Sequence, residues 1–269
     1  RQRLLFFRDH FGSRSFCYHL SASACFFASE AKALLWIDEV PDAIDEARLA
    51  DYLVGDSELV DSTLSCFTAI RRLPPAHVAV IENGALSLRR YWRADAEREN
   101  RFSSDEEYEE GFREVFRKAV RCRLRGFPQV GSMLSGGLDS GSIVCVAREV
   151  LREIGAGPLP VFSALSDDEA DSFEAPYAQA VMRMGGLDAT VVRPAGLESV
   201  LSDFHNLLEM SDDLFDFTMA GIPLVMYGAA RRRGIRALLD RVDGDLATSA
   251  GPPAIGECVL RGQCSGAWV

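Results

Sequence analysis

The stretch from Val130 to Leu151 constrains this chain more than any other. An apolar run closes at Leu134, a Ser135-Gly136-Gly137 turn follows, and an amphipathic helix is expected to open near Ser140. A loop with almost no side-chain bulk between strand and helix lets backbone N–H groups close around an anion, and the helix dipole favours negative charge there. Ser135 and Ser140 add hydroxyl donors, and Asp139 sets a carboxylate beside that phosphate-shaped space. A carboxylate so placed makes sense with Mg²⁺ between it and the phosphates. No Lys follows, so the segment is not a G-x-x-x-x-G-K-[ST] loop. A Gly pair after a strand is usually a plain turn, but the whole string in a strand-to-helix context argues against that here.

Strands and helices alternate on both sides of this segment. Ser104 and Glu107 form a capping box. The helix behind it lines up Tyr108, Phe112, Phe116 and Val120, a stripe read as core packing. Strand 130–134, helix 140–152, strand 160–165, helix 174–184, strand 190–192, helix 220–233 and strand 235–239 follow. That order predicts an α/β domain, a doubly wound parallel sheet with helices on both faces. Residues 3–35 read instead as β-rich, with strands at 4–7, 15–19 and 25–28 and a turn at 9–12. Short helices are expected at 30–37 and 45–54, and Asn83-Gly84 between 77–81 and 85–89 marks a hairpin. The polar run 94–103 is the expected boundary, giving domains 1–100 and 104–269.

A second acidic segment stands where such sheets bind ligands. The apolar run Ile235–Leu239 enters Asp240-Arg241-Val242-Asp243-Gly244-Asp245, three carboxylates at the C-terminal end of a parallel strand. Facing Asp139 across a phosphate site, carboxylates here would hold Mg²⁺ through its waters. Composition narrows the partners. A net charge of −11 gives no electrostatic case for nucleic acid or an anionic membrane. Arg71-Arg72 and Arg231-Arg232-Arg233 read as solvated loop and helix-end charges. The seven cysteines show no C-x-x-C, and their odd number points to reduced thiols in a cytoplasmic protein. No apolar stretch reaches about 18 residues, so no spanning helix is expected. The start at Arg1 reads as the inside of a domain, without a signal peptide.

The Ser-Gly-Gly-Leu-Asp-Ser string resembles the pyrophosphate loop of the N-type ATP pyrophosphatases. With Arg8–Gly12, Phe27–Leu35, Ile70–His77, Arg90-Tyr91-Trp92 and Leu238–Asp245, the chain resembles the glutamine-hydrolysing asparagine synthetases and their relatives, the β-lactam synthetases and lasso-peptide cyclases. The resemblance implies an ATP-pyrophosphatase (PP-loop, adenine nucleotide alpha hydrolase-like) domain, preceded by the remnant of an N-terminal-nucleophile amidotransferase α+β domain. It implies ATP and Mg²⁺ as cofactors, with Ser135, Gly136, Gly137, Leu138, Asp139 and Ser140 around the β- and γ-phosphates. Backbone groups at Leu134 and around Ala164 would meet adenosine. Asp240 and Asp243 would stand near the nucleotide, and Asp139 and Asp245 would be the metal-holding catalytic carboxylates. The implied reaction activates a small-molecule or peptide carboxylate as an acyl-adenylate and releases pyrophosphate. Ammonia, drawn from glutamine, or another amine then forms an amide.

Departures from the family pattern keep alternatives open. The N-terminal catalytic Cys of the amidotransferase half has no counterpart, and Cys17 and Cys25 read as inert core residues. Val242 stands where the family usually has a Glu, and Arg241 where it has a Gly. This tilts the reading from a housekeeping asparagine synthetase toward a related cyclase or amide ligase; a lasso-peptide or β-lactam type macrolactam cyclase and a catalytically inactive nucleotide-binding remnant are the alternatives to an amide-bond-forming ligase. Likeness is lost after Gly251-Pro252-Pro253, which reads as a truncated C-terminal portion. A homodimer is left open.

Overall fold

The computed structural model describes residues 3–53, 61–95, 98, 100–165, 173–193 and 217–240, with the side chains of 217–220 left aside. The described residues divide into two compact units, one up to Arg101 and the other from Phe102 onward.

In the first unit the alternating apolar runs form two small antiparallel sheets. One has the order β1-β5-β6, from β1 (Arg3–Phe7), β5 (His77–Glu82) and β6 (Ala85–Arg90). The other has the order β3-β2-β4, from β2 (Cys17–Leu20), β3 (Cys25–Ala28) and β4 (Arg71–Arg72). Asn83 at φ 53° and Gly84 at φ 79° turn the β5–β6 hairpin, as Asn-Gly between alternating runs requires. Arg71 and Arg72 are not loop residues as expected but pair with Tyr18 and Cys17 in β2, a register visible only once the chain has folded back. Helix α1 is shorter than expected (Ala31–Leu34), whereas α2 (Glu46–Leu53) begins behind Asp45, whose Oδ1 accepts the Arg48 amide at 3.1 Å. Cys17, Ala31, Leu34, Val40 and Ile70 make one small core; Phe6, Leu73 and Ala79 make another.

The 8–14 turn is tied from within. Arg8 Nη1 donates to Leu73 O at 2.6 Å, its Nη2 to Gly12 O at 3.0 Å and its Nε to Arg14 O at 2.8 Å. Asp9 Oδ2 accepts from the Phe11 amide and from both the amide and the hydroxyl of Ser13. Those bonds, the Ser13 amide first, hold the Asp9 carboxyl down at about 2.

In the second unit four parallel strands run in the order β10-β7-β8-β9: β7 (Gly131–Met133), β8 (Leu159–Ala164), β9 (Leu187–Val192) and β10 (Leu238–Leu239). Helices α3 (Asp105–Arg123), α4 (Leu138–Glu153) and α5 (Ala175–Met182) contribute Val120, Val144, Ala147, Ala175 and Ala178 to a core that also takes Leu134, Leu159 and Val161. Helix α6 (Phe217–Arg232) packs Val225, Met226, Ala229 and Ala230 against Met133, Phe162 and Val192 on the other face. Helices therefore cover both faces, as the alternation of elements predicts. Gly131 lets β7 sit tightly between its neighbours: a Cβ there would lie 2.7 Å from Leu238 Cδ2 and 3.1 Å from Phe162 Cε2. The last turn of α6 carries Arg231 and Arg232 as expected, while Arg233 reaches past it to the Asp188 carboxylate and to Thr190 Oγ1.

Three sequence expectations shift here. Helix α4 opens two residues before Ser140, so Asp139 belongs to its first turn. Strand β9 begins at Leu187, straight after Gly185 and Gly186 turn the chain at positive φ. The aromatic stripe of α3 is core only at its end: Val120 is buried and Phe116 half-buried, but Phe112 is 57% exposed and Tyr108 is exposed too. Their rings are used locally instead, Phe112 stacked on Phe116 and Tyr108 edge-on to Phe102. Ser104 caps α3 as expected, accepting the Glu107 amide, but the Glu107 carboxylate reaches the Ser103 amide one residue early. Among the described residues no helix is long and apolar enough to cross a membrane.

Candidate functional site

Ordering the strands β10-β7-β8-β9 puts a topological switch point between β7 and β10, since the chain leaves β7 toward β8 and returns on its other side. Open α/β sheets bind ligands beyond the carboxyl ends of strands at such a point. The 135–137 loop leaves β7 there. Asp240 leaves β10 one strand spacing away, because Leu238 and Leu239 pair with Gly131 and Ser132. Of the residues singled out in the sequence, Leu134 to Ser140 and Asp240 therefore gather at one edge of the sheet. Ala164 ends β8 at the same edge, paired with Val192. Asp243 and Asp245 lie outside the described residues.

The loop owes its shape to hydroxyls. Ser140 is buried, and its Oγ accepts the Ser135 amide at 3.1 Å, stands 3.0 Å from Ser135 Oγ and donates to Gly137 O at 3.3 Å. Ser135 Oγ accepts the Gly137 amide at 3.2 Å. The Ser140 hydroxyl, a candidate phosphate donor from the sequence, is bonded within the loop itself. Two of the loop amides are thus used by the protein itself. The amides of Gly136, Leu138 and Ser140 have no protein acceptor among the described residues. They sit at the N-terminus of a 16-residue helix, where the dipole adds positive potential.

Each residue around that opening has a physical reason for its place. Gly136 at φ 105° adopts a backbone that L side chains rarely take, and a Cβ on it would lie 2.2 Å from Glu174 O. Leu134 is fully buried, so only its backbone can face a ligand, and its amide already pairs with Phe162 O at 2.9 Å. The Leu138 side chain is 89% exposed at the mouth of the loop. Asp139 lies in the first turn of α4, at the positive end of the helix dipole. Asp240 Oδ2 accepts from Tyr227 Oη of α6 at 3.3 Å. Burial, then the Asp240 charge, pushes the Tyr227 hydroxyl pKa up and keeps it a donor. Asp139 and Asp240 supply hard oxygen donors of the kind Mg²⁺ takes, but among the described residues no group of three His, Cys, Asp or Glu side chains is gathered to hold a metal ion by itself.

Neither Cys17 nor Cys25 offers a second centre. Cys17 is buried in β2, and burial raises the Cys25 thiol in β3, so neither is set up as a thiolate nucleophile. A cleft of about 460 Å³ between Arg148, Arg152, Gly155–Pro158 and Met184–Gly186 opens at the other edge of the sheet, ahead of β8 and β9. Sequence reasoning missed Glu174 and Tyr227, both brought to the loop edge by tertiary packing of α5 and α6. The Glu-Ala-Pro start of α5 was the one local signal available for the former.

Comparison with known families places asparagine synthase on residues 111–245 and a glutamine amidotransferase domain on residues 1–92. The chain is 29% identical over 177 residues to the glutamine-hydrolyzing asparagine synthetase 3 of Bacillus subtilis, covering 65% of this chain and 28% of that protein. It is 26% identical over 254 residues to the amidase chry2 of Gibberella zeae, covering 89% of this chain and 36% of that one. A putative glutamine-hydrolyzing asparagine synthetase 2 of Methanocaldococcus jannaschii is 25% identical over 142 residues, 53% of this chain and 28% of its own length. The chain thus spans about a third of the length of the curated relatives it matches.

Proposed function

We propose, from the premise that this chain belongs to the asparagine synthase family, that its second unit is the ATP-pyrophosphatase half of an amide-bond-forming ligase. The observation that carries the reading is the 135–140 loop: bent by the Ser135 and Ser140 hydroxyls, it leaves the amides of Gly136, Leu138 and Ser140 without a protein acceptor among the described residues, at the switch point of a parallel sheet.

In this reading those amides donate to the β- and γ-phosphate oxygens of ATP, and the α4 dipole adds to the attraction. Asp139 and Asp240 would hold Mg²⁺, with Asp243 and Asp245 proposed beside them from the sequence. Mg²⁺ supplies charge neutralisation on the phosphates as pyrophosphate departs. Backbone groups at Leu134 and Ala164 would orient the nucleoside so that its α-phosphorus faces a substrate carboxylate. A carboxylate is a poor electrophile. Attack through its oxygen on the α-phosphorus gives an acyl-adenylate, which ammonia or another amine opens to an amide and AMP. The chain's own contribution is positioning and charge stabilisation. The first unit, matched to a glutamine amidotransferase domain, makes glutamine the natural nitrogen source for the whole protein. Val242 in place of the usual Glu favours an amine carried by a peptide or other substrate as the second reading.

Pyrophosphate release with panels of amino acids and short peptides, with mass analysis of the product, tests both readings. Asp139→Ala should lower pyrophosphate release by at least about a hundredfold, the scale on which removal of a group that stabilises the transition state is felt. Turnover retained in that variant would exclude the assignment. A native chain that binds ATP but turns over none of the panel would leave only a nucleotide-binding remnant.

A further inference from the structure

Glu174 meets the loop at two points. Its carbonyl oxygen lies where a Cβ on Gly136 would be 2.2 Å away, and its Oε1 lies 3.2 Å from the Cβ position of Gly137. The carbonyl is occupied, accepting the amides of Tyr177 and Ala178 at 3.1 Å as α5 begins. The carboxylate is exposed and, among the described residues, takes no hydrogen bond and forms no ion pair. It is therefore no tether for the loop. What it adds is a negative charge on the rim of a loop whose open amides attract anions.

We propose that Glu174 is a specificity-determining residue that makes this loop accept a nucleoside triphosphate only as its divalent-cation complex, excluding the free polyanion. The proposal rests on the reading of the loop as a nucleotide site. A divalent cation cancels two charges of the triphosphate, so repulsion from a fixed carboxylate falls most for the complexed form. Asp139, in the first turn of α4, carries the same sign. Glu174 Oε1 lies beside Gly137, the residue that precedes that turn, so its charge is added to that of Asp139 at the same opening, and it has no cationic partner among the described residues.

Calorimetric titration of the full chain with ATP, once in excess EDTA and once in excess Mg²⁺, tests this in the native protein, E174Q and E174D. In E174Q the affinity for metal-free ATP should rise about tenfold, equivalent to ~1.4 kcal/mol, while that for the Mg²⁺ complex changes by less than about threefold. E174D should keep the native preference, and raising the salt should compress the difference in every variant. Equal changes in both affinities, or none, would overturn the proposal and reduce Glu174 to a structural neighbour of the loop. A native chain that binds ATP in neither condition would overturn the nucleotide reading and this proposal with it. A native chain that binds but is indifferent to E174Q overturns this proposal alone.

Discussion

Two glycine-bearing bends, 8–14 in the first unit and 134–140 in the second, are built from similar parts and end in opposite states. Each turns on a glycine at positive φ, Gly12 at 67° and Gly136 at 105°, and each is tied by side chains to its own backbone. In the first, Arg8 and Asp9 consume the nearby polar groups, and Tyr91 Oη takes the Arg8 carbonyl at 2.6 Å as well. In the second, small hydroxyls do the tying and, among the described residues, the amides of Gly136, Leu138 and Ser140 have no acceptor. The long, charged ties take up the amides of Phe11 and Ser13, and the Asp9 carbonyl takes that of Gly12. Short, neutral ones fix the shape and keep donors available. A bend held in shape with donors to spare has the makings of an anion site, which a bend tied through its own carboxylate lacks.

Substitution at the two glycines tests that contrast. Gly136→Ala should destabilise the second unit by about 3 kcal/mol or more, because backbone strain combines with a Cβ driven against the rigid start of α5. Urea unfolding reads the loss, and nucleotide binding should vanish with it. If the variant were as stable as the native chain, the close approach of α5 would be wrong. Gly12→Ala should cost less, about 1–2 kcal/mol, since its Cβ would meet side-chain atoms, Pro75 Cγ at 2.8 Å and Arg8 Nη2 at 2.9 Å, which can give way. Nucleotide binding should survive that change, and its loss would collapse the distinction between the two bends.

The smallest effect sharpens the comparison by pH. The folded-state pKa of Asp9, about 2, is depressed below its ordinary 3.8. Its contribution is therefore present in full above about pH 4 and is lost as the pH falls toward 2. Asp9→Asn should remove that part of the acid sensitivity of the first unit, read by circular dichroism between those pH values. An unchanged acid transition would mean the bend does not depend on the carboxylate.

Local signals carried much of the architecture. The strand–loop–helix at 130–151, the Asn83-Gly84 hairpin, the Ser104 cap and the two-faced helical cover were legible because each is written within a few consecutive residues. Non-local geometry was not. Arg71 and Arg72 form a strand only by pairing with β2, and Tyr108 and Phe112 have the spacing of a core stripe although only the later half of α3 meets the sheet. At the candidate site the sequence placed the loop but not the bonds that tie the Ser140 hydroxyl to Ser135 and Gly137. Whether a hydroxyl in the first turn of a helix points outward or beneath its own loop depends on the strand it follows. Glu174 was invisible for a related reason: 34 residues separate it from the loop's last Ser, and only the return of β8 into α5 brings them together.

The buried Ser140 hydroxyl has one more consequence. Since it already grips Ser135 and Gly137, the bend is set before any guest arrives. An incoming phosphate would spend little of its free energy on ordering the chain, and capture would be paced by diffusional encounter rather than by rearrangement of the receptor.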